Sequence, residues 1–487
     1  MEKTERTVRF PWRFLSLLFG VLILLGCDQK VTTKNPPNIL MISIDDLNDW
    51  IGVLGIQPEV QTPNIDRLAR SGILFTNAHC QAPICGPSRA SVLSGLRPST
   101  TGIYGQIKDE DLRKGSPSMA DIRFLPQYFQ DNGYKTMGVG KIFHNHAPKG
   151  VFEISGGRKG SFGPKPEKRL KWDRKGTSTD WGAYPDQDSL MYDHQYAQWT
   201  IKQLEQKHNR PFFMAVGFIR PHVPWYAPKK WFDIYDPQKI TLPPYLPNDW
   251  DDLPEIAKRI AFKGMMPTTD WAIENDEWKN IVQAYLACVS FVDHQVGQVL
   301  NALEKSNYKD NTIVVLWSDH GYELGEKGSF GKQTLWSEST RVPLIFKIPD
   351  GKQNIRIDQP VELLDLYPTL LMLSGLPDNP QIEGKSLVPL FEEEINPAAV
   401  AITTYGKNNH SLVNQKYRYI RYEDGMEELY DLQKDPQERN NLSHLTALDS
   451  VKTQLRDHLP KVNADWKKGS SYNINEYFIK TSQPPAK

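Results

Sequence analysis

Four short apolar runs, Asn38–Ile44, Lys135–Val139, Phe212–Val216 and Thr312–Trp317, recur through the first two thirds of the chain. Each has strand length and is apolar at successive rather than alternate positions. That is the pattern of a strand buried on both faces of a parallel sheet. Between them the apolar spacing changes to a helical period, as in Ile65–Arg70 and Ile281–Leu303. The pattern predicts an α/β fold, with a parallel sheet covered by helices. The residues following the runs share a character. Ile44 leads into Asp45-Asp46, Val139 into Gly140-Lys141 and His144, Val216 into Arg220-Pro221-His222, and Trp317 into Ser318-Asp319-His320. Sites in open α/β sheets form beyond the carboxyl ends of the strands, so four such ends predict one convergent site.

After about residue 376 the pattern changes. Pro377, Pro380 and Pro389 punctuate a loop region, Tyr417–Tyr422 reads as a short antiparallel strand, and Glu428–Leu432 follows before a polar turn at Asp435-Pro436. An amphipathic helix around Ala447–Leu459 follows. The expected organisation is a catalytic domain over residues 37–375 and a smaller α+β C-terminal subdomain over 376–487.

The amino terminus is a separate object. Lys3, Arg6, Arg9 and Arg13 precede an apolar run from Phe14 to Gly26, too short to span a bilayer comfortably and typical of a signal peptide. Leu24-Leu25-Gly26-Cys27 resembles a bacterial lipobox, which makes residues 1–27 a lipoprotein signal peptide, Cys27 the lipidated residue and residues 28–36 a polar tether. An ordinary cleaved signal or an uncleaved anchor are the alternatives. All three place the folded part outside the cytoplasm, and the lipoprotein reading puts it, lipid-anchored, in the bacterial envelope (periplasm or outer membrane).

Composition narrows the partners. Lys+Arg and Asp+Glu are both 58 in 487 residues, so no global charge points to nucleic acid. With Cys27 set aside, Cys80, Cys85 and Cys288 remain, too few for a disulfide scaffold. Cys80 and Cys288 read as buried small hydrophobes, with a bridge between them possible but not required.

Cys85 is different. Pro87 favours a helix start and Gly95 a helix stop, which puts Cys85 at a helix N-terminus, where free N–H groups and the dipole favour anions. Arg89 lies one turn along and can point at the same anion. These residues suggest a nucleophilic thiolate or an anion site.

The run from Cys85 to Pro98 (Cys-Gly-Pro-Ser-Arg-Ala-Ser-Val-Leu-Ser-Gly-Leu-Arg-Pro) resembles the signature C-x-P-S-R-x-S-x-L-x-G-x-R-P of type I, formylglycine-dependent sulfatases. The resemblance extends to Thr62-Pro63-Asn64-Ile65-Asp66, Val139-Gly140-Lys141, Ser318-Asp319-His320-Gly321 and Glu428–Leu432. Within the family the chain is most similar to the iduronate-2-sulfatase-like members, through Val139–His144, Phe212–His222 and Asp319-His320. The resemblance implies an alkaline-phosphatase-like fold, a mixed, mostly parallel sheet sandwiched by helices. It also implies a sulfuric ester hydrolase in which a maturing enzyme, formylglycine-generating or sulfatase-maturating, oxidises Cys85 to 3-oxoalanine (formylglycine).

By the same resemblance, Asp45, Asp46, Asp319, His320 and the modified Cys85 hold Ca²⁺, a hard cation suited to oxygen ligands. Many sulfatases carry Asn where this chain has His320, a poorer calcium ligand. The hydrated formylglycine attacks sulfur, His222 protonates the leaving sugar oxygen, and His144 removes the second hydroxyl's proton to expel sulfate. Lys141 and Lys332 neutralise the sulfuryl oxygens while Arg89 orders the nucleophile. Lys327 competes with Lys332 for its place. His79, His146 and His410 read as structural.

Between Lys149 and Lys175 lie nine basic residues against three acidic ones, interleaved with Phe162 and Trp172. This loop reads either as a solvated flexible segment or as a rim for an anionic polysaccharide, its aromatics stacking on sugar faces. In the second reading Lys168, Arg169 and Lys171 supply the charge. The expected substrate is a sulfated, uronic-acid-containing carbohydrate such as a glycosaminoglycan or ulvan. The alternatives are a phosphoester hydrolase on the same fold, or a catalytically dead glycan-binding lipoprotein.

Overall fold

The computed structural model describes residues 36–471, apart from 115 and 262–263, together with Glu2. The rest of the leader, with Cys27, and all but the last residue of the tether lie outside the described residues. The four apolar runs form strands Asn38–Ile44, Lys135–Gly140, Phe212–Phe218 and Thr312–Ser318, every residue of the first, third and fourth being buried. All four are parallel: Asn38–Ile44 pairs with Phe212–Phe218 on one side and Thr312–Ser318 on the other, and Lys135–Gly140 continues beyond Phe212–Phe218. Their carboxyl ends therefore lie along one edge.

The full path runs Ile355–Ile357, Ile73–His79, Arg341–Lys347, Thr312–Ser318, Asn38–Ile44, Phe212–Phe218, Lys135–Gly140, Ile154–Gly157, with Val361–Glu362 also pairing with Ile73–His79. Arg341–Lys347 is antiparallel to both its neighbours, which makes the sheet mixed. Side chains alternate between two cores. Leu40, Ile42 and Ile44 pack under the 28-residue helix Trp278–Lys305, while Ile39 and Met41 face a second layer containing Val92, Phe129 and Leu370. Burial on both faces is what removes polar alternation from these strands. Cys288 belongs to the first core and Cys80 to the second, so they lie on opposite faces of the sheet and are unbridged.

The carboxy-terminal sheet is an antiparallel meander of Ala401–Thr404, His410–Val413, Tyr417–Arg421 and Glu427–Asp431. Leu455 of the helix Asp449–Arg456 packs on one face with Leu412, Tyr419 and Leu429. Tyr405, Ile420 and Tyr430 form a common core with Ala82 and Ile84, so this sheet supports the segment leading into Cys85. Residues between 376 and 391 belong elsewhere. Leu387, Leu390 and Phe391 pack in the main core, with Phe391 against Phe75 and Phe346. The antiparallel sheet thus begins later than the change in sequence texture at 376, because the proline-rich stretch is anchored by apolar contacts to the large sheet. Among the described residues no helix is long and apolar enough to cross a membrane.

Candidate active site

Cys85 opens the helix Cys85–Ser94, and Gly95 ends it in the left-handed region at φ 74°. The N–H of Gly86 is capped from a distance, donating to Gln106 Oε1 at 2.9 Å. Strand ends surround the thiol. His320 Nε2 and Lys332 Nζ each lie 3.2 Å from Cys85 Sγ, Asp46 Oδ1 lies 3.9 Å away, and His144 hydrogen-bonds to it. Asp45 and Asp46 follow the first strand directly; Asp46 takes a left-handed φ of 62°, an uncommon conformation that Asp tolerates better than most residues. This turn separates the two carboxylates. Asp45 meets Lys141 and Arg89, whereas Asp46 meets Lys332 at 2.6 Å and His320 at 3.3 Å. His222 Nε2 stands 4.0 Å from Asp46 Oδ2.

Lys332, not Lys327, reaches the thiol. Lys327 is buried 3.2 Å from Asp249 and also donates to the Glu438 carbonyl. Arg89 does not face an open anion site. Its Nε donates to Asp319 Oδ2 at 2.7 Å, and Nη1 donates to Ser43 Oγ and to the carbonyls of Lys141 and Ile142. It braces carboxylates and strand ends from behind. His79 is buried beside Asn77, His410 beside Thr404, and the N–H of His146 donates to Asp109.

Charge sets the chemistry here. Burial acts to raise the Cys85 pKa, but Lys141, Lys332 and His320, with the His144 hydrogen bond, outweigh it and hold the thiol well below its ordinary value. Burial and the Cys85 charge push Asp45 up, yet Lys141, His222 and Arg89 leave it lowered. Asp319 is lifted by burial to about 7 despite Arg89 and His320. His320 rises to about 9, the Asp319 charge overcoming burial. A buried, acidic thiol ringed by cations is a site built for negative charge.

One ligand atom from each of Asp45, Asp46, Cys85 and His320 lies within 4.8 Å of the others, all buried. Asp45 Oδ1 and Asp46 Oδ2 are buried without a hydrogen-bond partner. His320 Nδ1 faces its neighbour Gly321's carbonyl at 2.8 Å, which fixes Nδ1 as donor and aims Nε2 at the cluster. Orphaned carboxylate oxygens beside an oriented imidazole fit a bound cation. Asp319 stands behind them, Oδ1 lying 3.7 Å from His320 Nε2 and accepting from the Asp46 N–H.

Several participants have no local sequence signal. Asp109 accepts the backbone N–H groups of His144, Asn145 and His146, shaping the turn that presents His144. Phe162 stacks on His222 with ring centroids 4.0 Å apart. The basic loop is ordered: Asp180 accepts the N–H groups of Leu170, Lys171 and Trp172, Arg169 donates to three loop carbonyls, and Lys171 pairs with Glu277 at 2.9 Å. Arg169 and Lys171 are therefore framework, and neutralising them would not test substrate binding cleanly. A cavity of about 830 Å³ opens above Cys85, lined among others by His144, His222, Lys332, Lys108, Arg174 and Trp172.

A buried acidic thiol, four groups that could hold a metal ion and two histidines lie together beyond the carboxyl ends of a mostly parallel sheet, an arrangement suited to hydrolysing anionic esters. The sulfatase family pattern matches residues 37–376, and the pattern described as N-sulphoglucosamine sulphohydrolase, C-terminal, matches residues 325–465. A sulfatase of Formosa agariphila is 50% identical over 481 residues, 95% of each chain. Human iduronate 2-sulfatase is 30% identical over 527 aligned residues, covering 96% of this chain and 87% of its own. A solved structure in complex with its substrate D-glucosamine-2-N,6-O-disulfate superposes with a TM-score of 0.68 at 24% identity, covering 87% of this chain and 96% of that one. The chain belongs to the sulfatase family and is a sulfuric ester hydrolase.

Proposed function

We propose that this enzyme removes sulfate esters from a uronic-acid-containing carbohydrate, using a formylglycine made from Cys85 and a calcium ion held by Asp45, Asp46, His320 and the modified side chain, with Asp319 behind them. The observation that carries this reading is the buried Cys85 thiol at the cavity floor, in contact with His320 and Lys332 and hydrogen-bonded to His144. Cys85 Sγ stands in for one of the two oxygens that the hydrated aldehyde carries on Cβ. A bound calcium ion would supply positive charge to the sulfuryl group and lower the proton affinity of the attacking oxygen.

The chain's own groups do the rest. Lys141 and Lys332 bring two fixed positive charges to the sulfuryl oxygens. One hydroxyl of the hydrated aldehyde gives its proton to the adjacent Asp46 carboxylate and forms the new S–O bond as the S–O bond to the sugar breaks, and His222 Nε2 gives the sugar oxygen its proton. His144 then takes the proton of the second hydroxyl, the C–O bond to sulfate breaks, and the aldehyde is restored. Burial lowers the His144 pKa, which keeps it neutral and able to accept that proton.

The test is sulfate release from defined sulfated oligosaccharides and aryl sulfates by protein co-produced with the maturing enzyme. No release by protein whose residue 85 is demonstrably oxidised would overturn the reading. Faster cleavage of phosphoesters would favour a phosphoester hydrolase instead. Chelation gives a second measurement independent of turnover. Removing calcium should leave three buried carboxylates with less compensation and lower Tm, and adding calcium should restore both Tm and activity. An unchanged Tm with and without calcium would count against the cage.

The cavity also suggests how an acidic sugar is held. Lys108, Arg174 and Trp172 all line it. Lys108→Gln with Arg174→Gln should raise KM on an acidic sulfated oligosaccharide by about 10-fold, the loss of a charge-assisted hydrogen bond, and leave aryl sulfate unchanged. Equal effects on both substrates would show that these residues do not read the sugar. The leader and Cys27 support a further proposal, a lipid-anchored enzyme of the bacterial envelope. Metabolic labelling with palmitate, lost in Cys27→Ala, tests it.

A further inference from the structure

His222 is oriented by three contacts. Its Nδ1 donates to the Val223 carbonyl at 2.5 Å, which turns Nε2 toward the cluster. One hydrogen bond still lets the ring tilt about its own axis. Phe162 limits that freedom, its ring lying within 5° of parallel to the imidazole at 4.0 Å. The loop carrying Phe162 is tied to the strand end carrying His222 by a single buried guanidinium. Arg220 Nη1 donates to the Phe162 carbonyl at 2.8 Å and to the His222 carbonyl at 2.9 Å. Arg220 is itself placed by Asp193, which accepts the N–H groups of Ile219 and Arg220. Two cations complete the surroundings of the Phe162 ring, Lys141 Nζ at 4.9 Å and Arg158 Cζ at 5.2 Å from its centroid.

We propose that Phe162 is a positioning residue whose ring face fixes the plane of the His222 imidazole, so that Nε2 meets the leaving oxygen of the sulfate ester. The proposal rests on His222 being the acid. A tilted imidazole fails most where protonation matters most, on esters of weakly acidic alcohols, and least where the leaving group departs unprotonated. The position of Phe162 on the basic loop thereby couples that loop to bond cleavage as well as to binding.

The experiment compares kcat/KM for 4-nitrophenyl, phenyl and 4-methoxyphenyl sulfate, which differ in leaving-group acidity at similar size. The proteins are wild type, His222→Ala, Phe162→Ala, Phe162→Leu and Phe162→Tyr. Phe162→Ala and Phe162→Leu should lose about 30-fold on 4-methoxyphenyl sulfate and less than about 3-fold on 4-nitrophenyl sulfate, a fraction of the 10²–10⁴ that general acid catalysis supplies. Phe162→Tyr keeps the flat face and should stay within about 3-fold of wild type throughout. Leucine preserves bulk, so it decides the matter if alanine disturbs the fold. Equal losses along the series for Phe162→Leu, with a steep dependence for His222→Ala, would overturn the inference and leave Phe162 as a cavity wall. A flat series for His222→Ala would instead overturn the assignment of the acid.

Discussion

Replacing Cys85 with alanine should abolish sulfate ester hydrolysis, with a loss of about 10⁴-fold or more, because nucleophile removal in hydrolases costs that much. The fold should survive the change. Cys85 is a small residue at the first turn of a helix whose stop at Gly95 and whose distant cap from Gln106 stay in place. Folding stability should move by only about 1 kcal/mol, so the loss of turnover will not be a loss of protein. The substitution also separates roles. Lys141, Lys332 and His320 converge on the thiol, and without an anion there their charges should still attract sulfate or a sulfated sugar. Binding with no turnover is the expected pair of results, read by calorimetry and by sulfate release. Retained turnover in Cys85→Ala, or active wild-type protein whose residue 85 carries only a thiol by mass spectrometry, would overturn the nucleophile assignment.

The parts of this site that could be read from the sequence are those that local chemistry writes down. A strand buried on both faces has to be continuously apolar, so four of the sheet's strands announced themselves, and the polar residues just past them converge around Cys85. The Cys85 helix was legible for the same local reason, with Pro87 near its start and Gly95 at its stop. Other strands were hidden by their own irregularities. Arg341–Lys347 contains Pro343, which argues against a central strand, yet it lies between Ile73–His79 and Thr312–Ser318. The ladder tolerates it because the register shifts between Val342 and Leu344.

Contacts made across long sequence separations left no trace. Nothing near Asp109 says that it will gather three N–H groups from residues 144–146, and nothing near Gln106 says that it will cap Gly86. The basic loop was legible only in part. Arg169 donates to loop carbonyls, Lys171 pairs with Glu277 and Phe162 lies against His222, whereas Trp172 and Arg174 of the same loop line the cavity. Arg89 was recognised by its motif, but its role came only from what surrounds it.

That role makes Arg89→Ala the most destabilising substitution expected in the site. The guanidinium is wholly buried and divides its donors between Asp319, Ser43 and the carbonyls of Lys141 and Ile142, with Asp45 3.7 Å away. Removing it strands two buried carboxylates and at least two carbonyls, a loss of about 3–5 kcal/mol for a broken buried pair. Lysine would restore one charge but not the planar fork, so Arg89→Lys should recover less than half of the deficit. The pH dependence has a defined sign. Burial has already lifted Asp319 to about 7, and without Arg89 its pKa must rise further. An acid with a raised folded-state pKa keeps its proton in the native state, so the stability of the variant falls as pH rises through and above about 7. Urea midpoints measured in chelator across that range, at unchanged m, should show a deficit that widens with pH. A deficit under about 1 kcal/mol, or one that narrows as pH rises, would mean that the carboxylates are neutralised by Lys141, Lys332 and His320 alone, and that the geometry around Arg89 serves only to shape the strand ends.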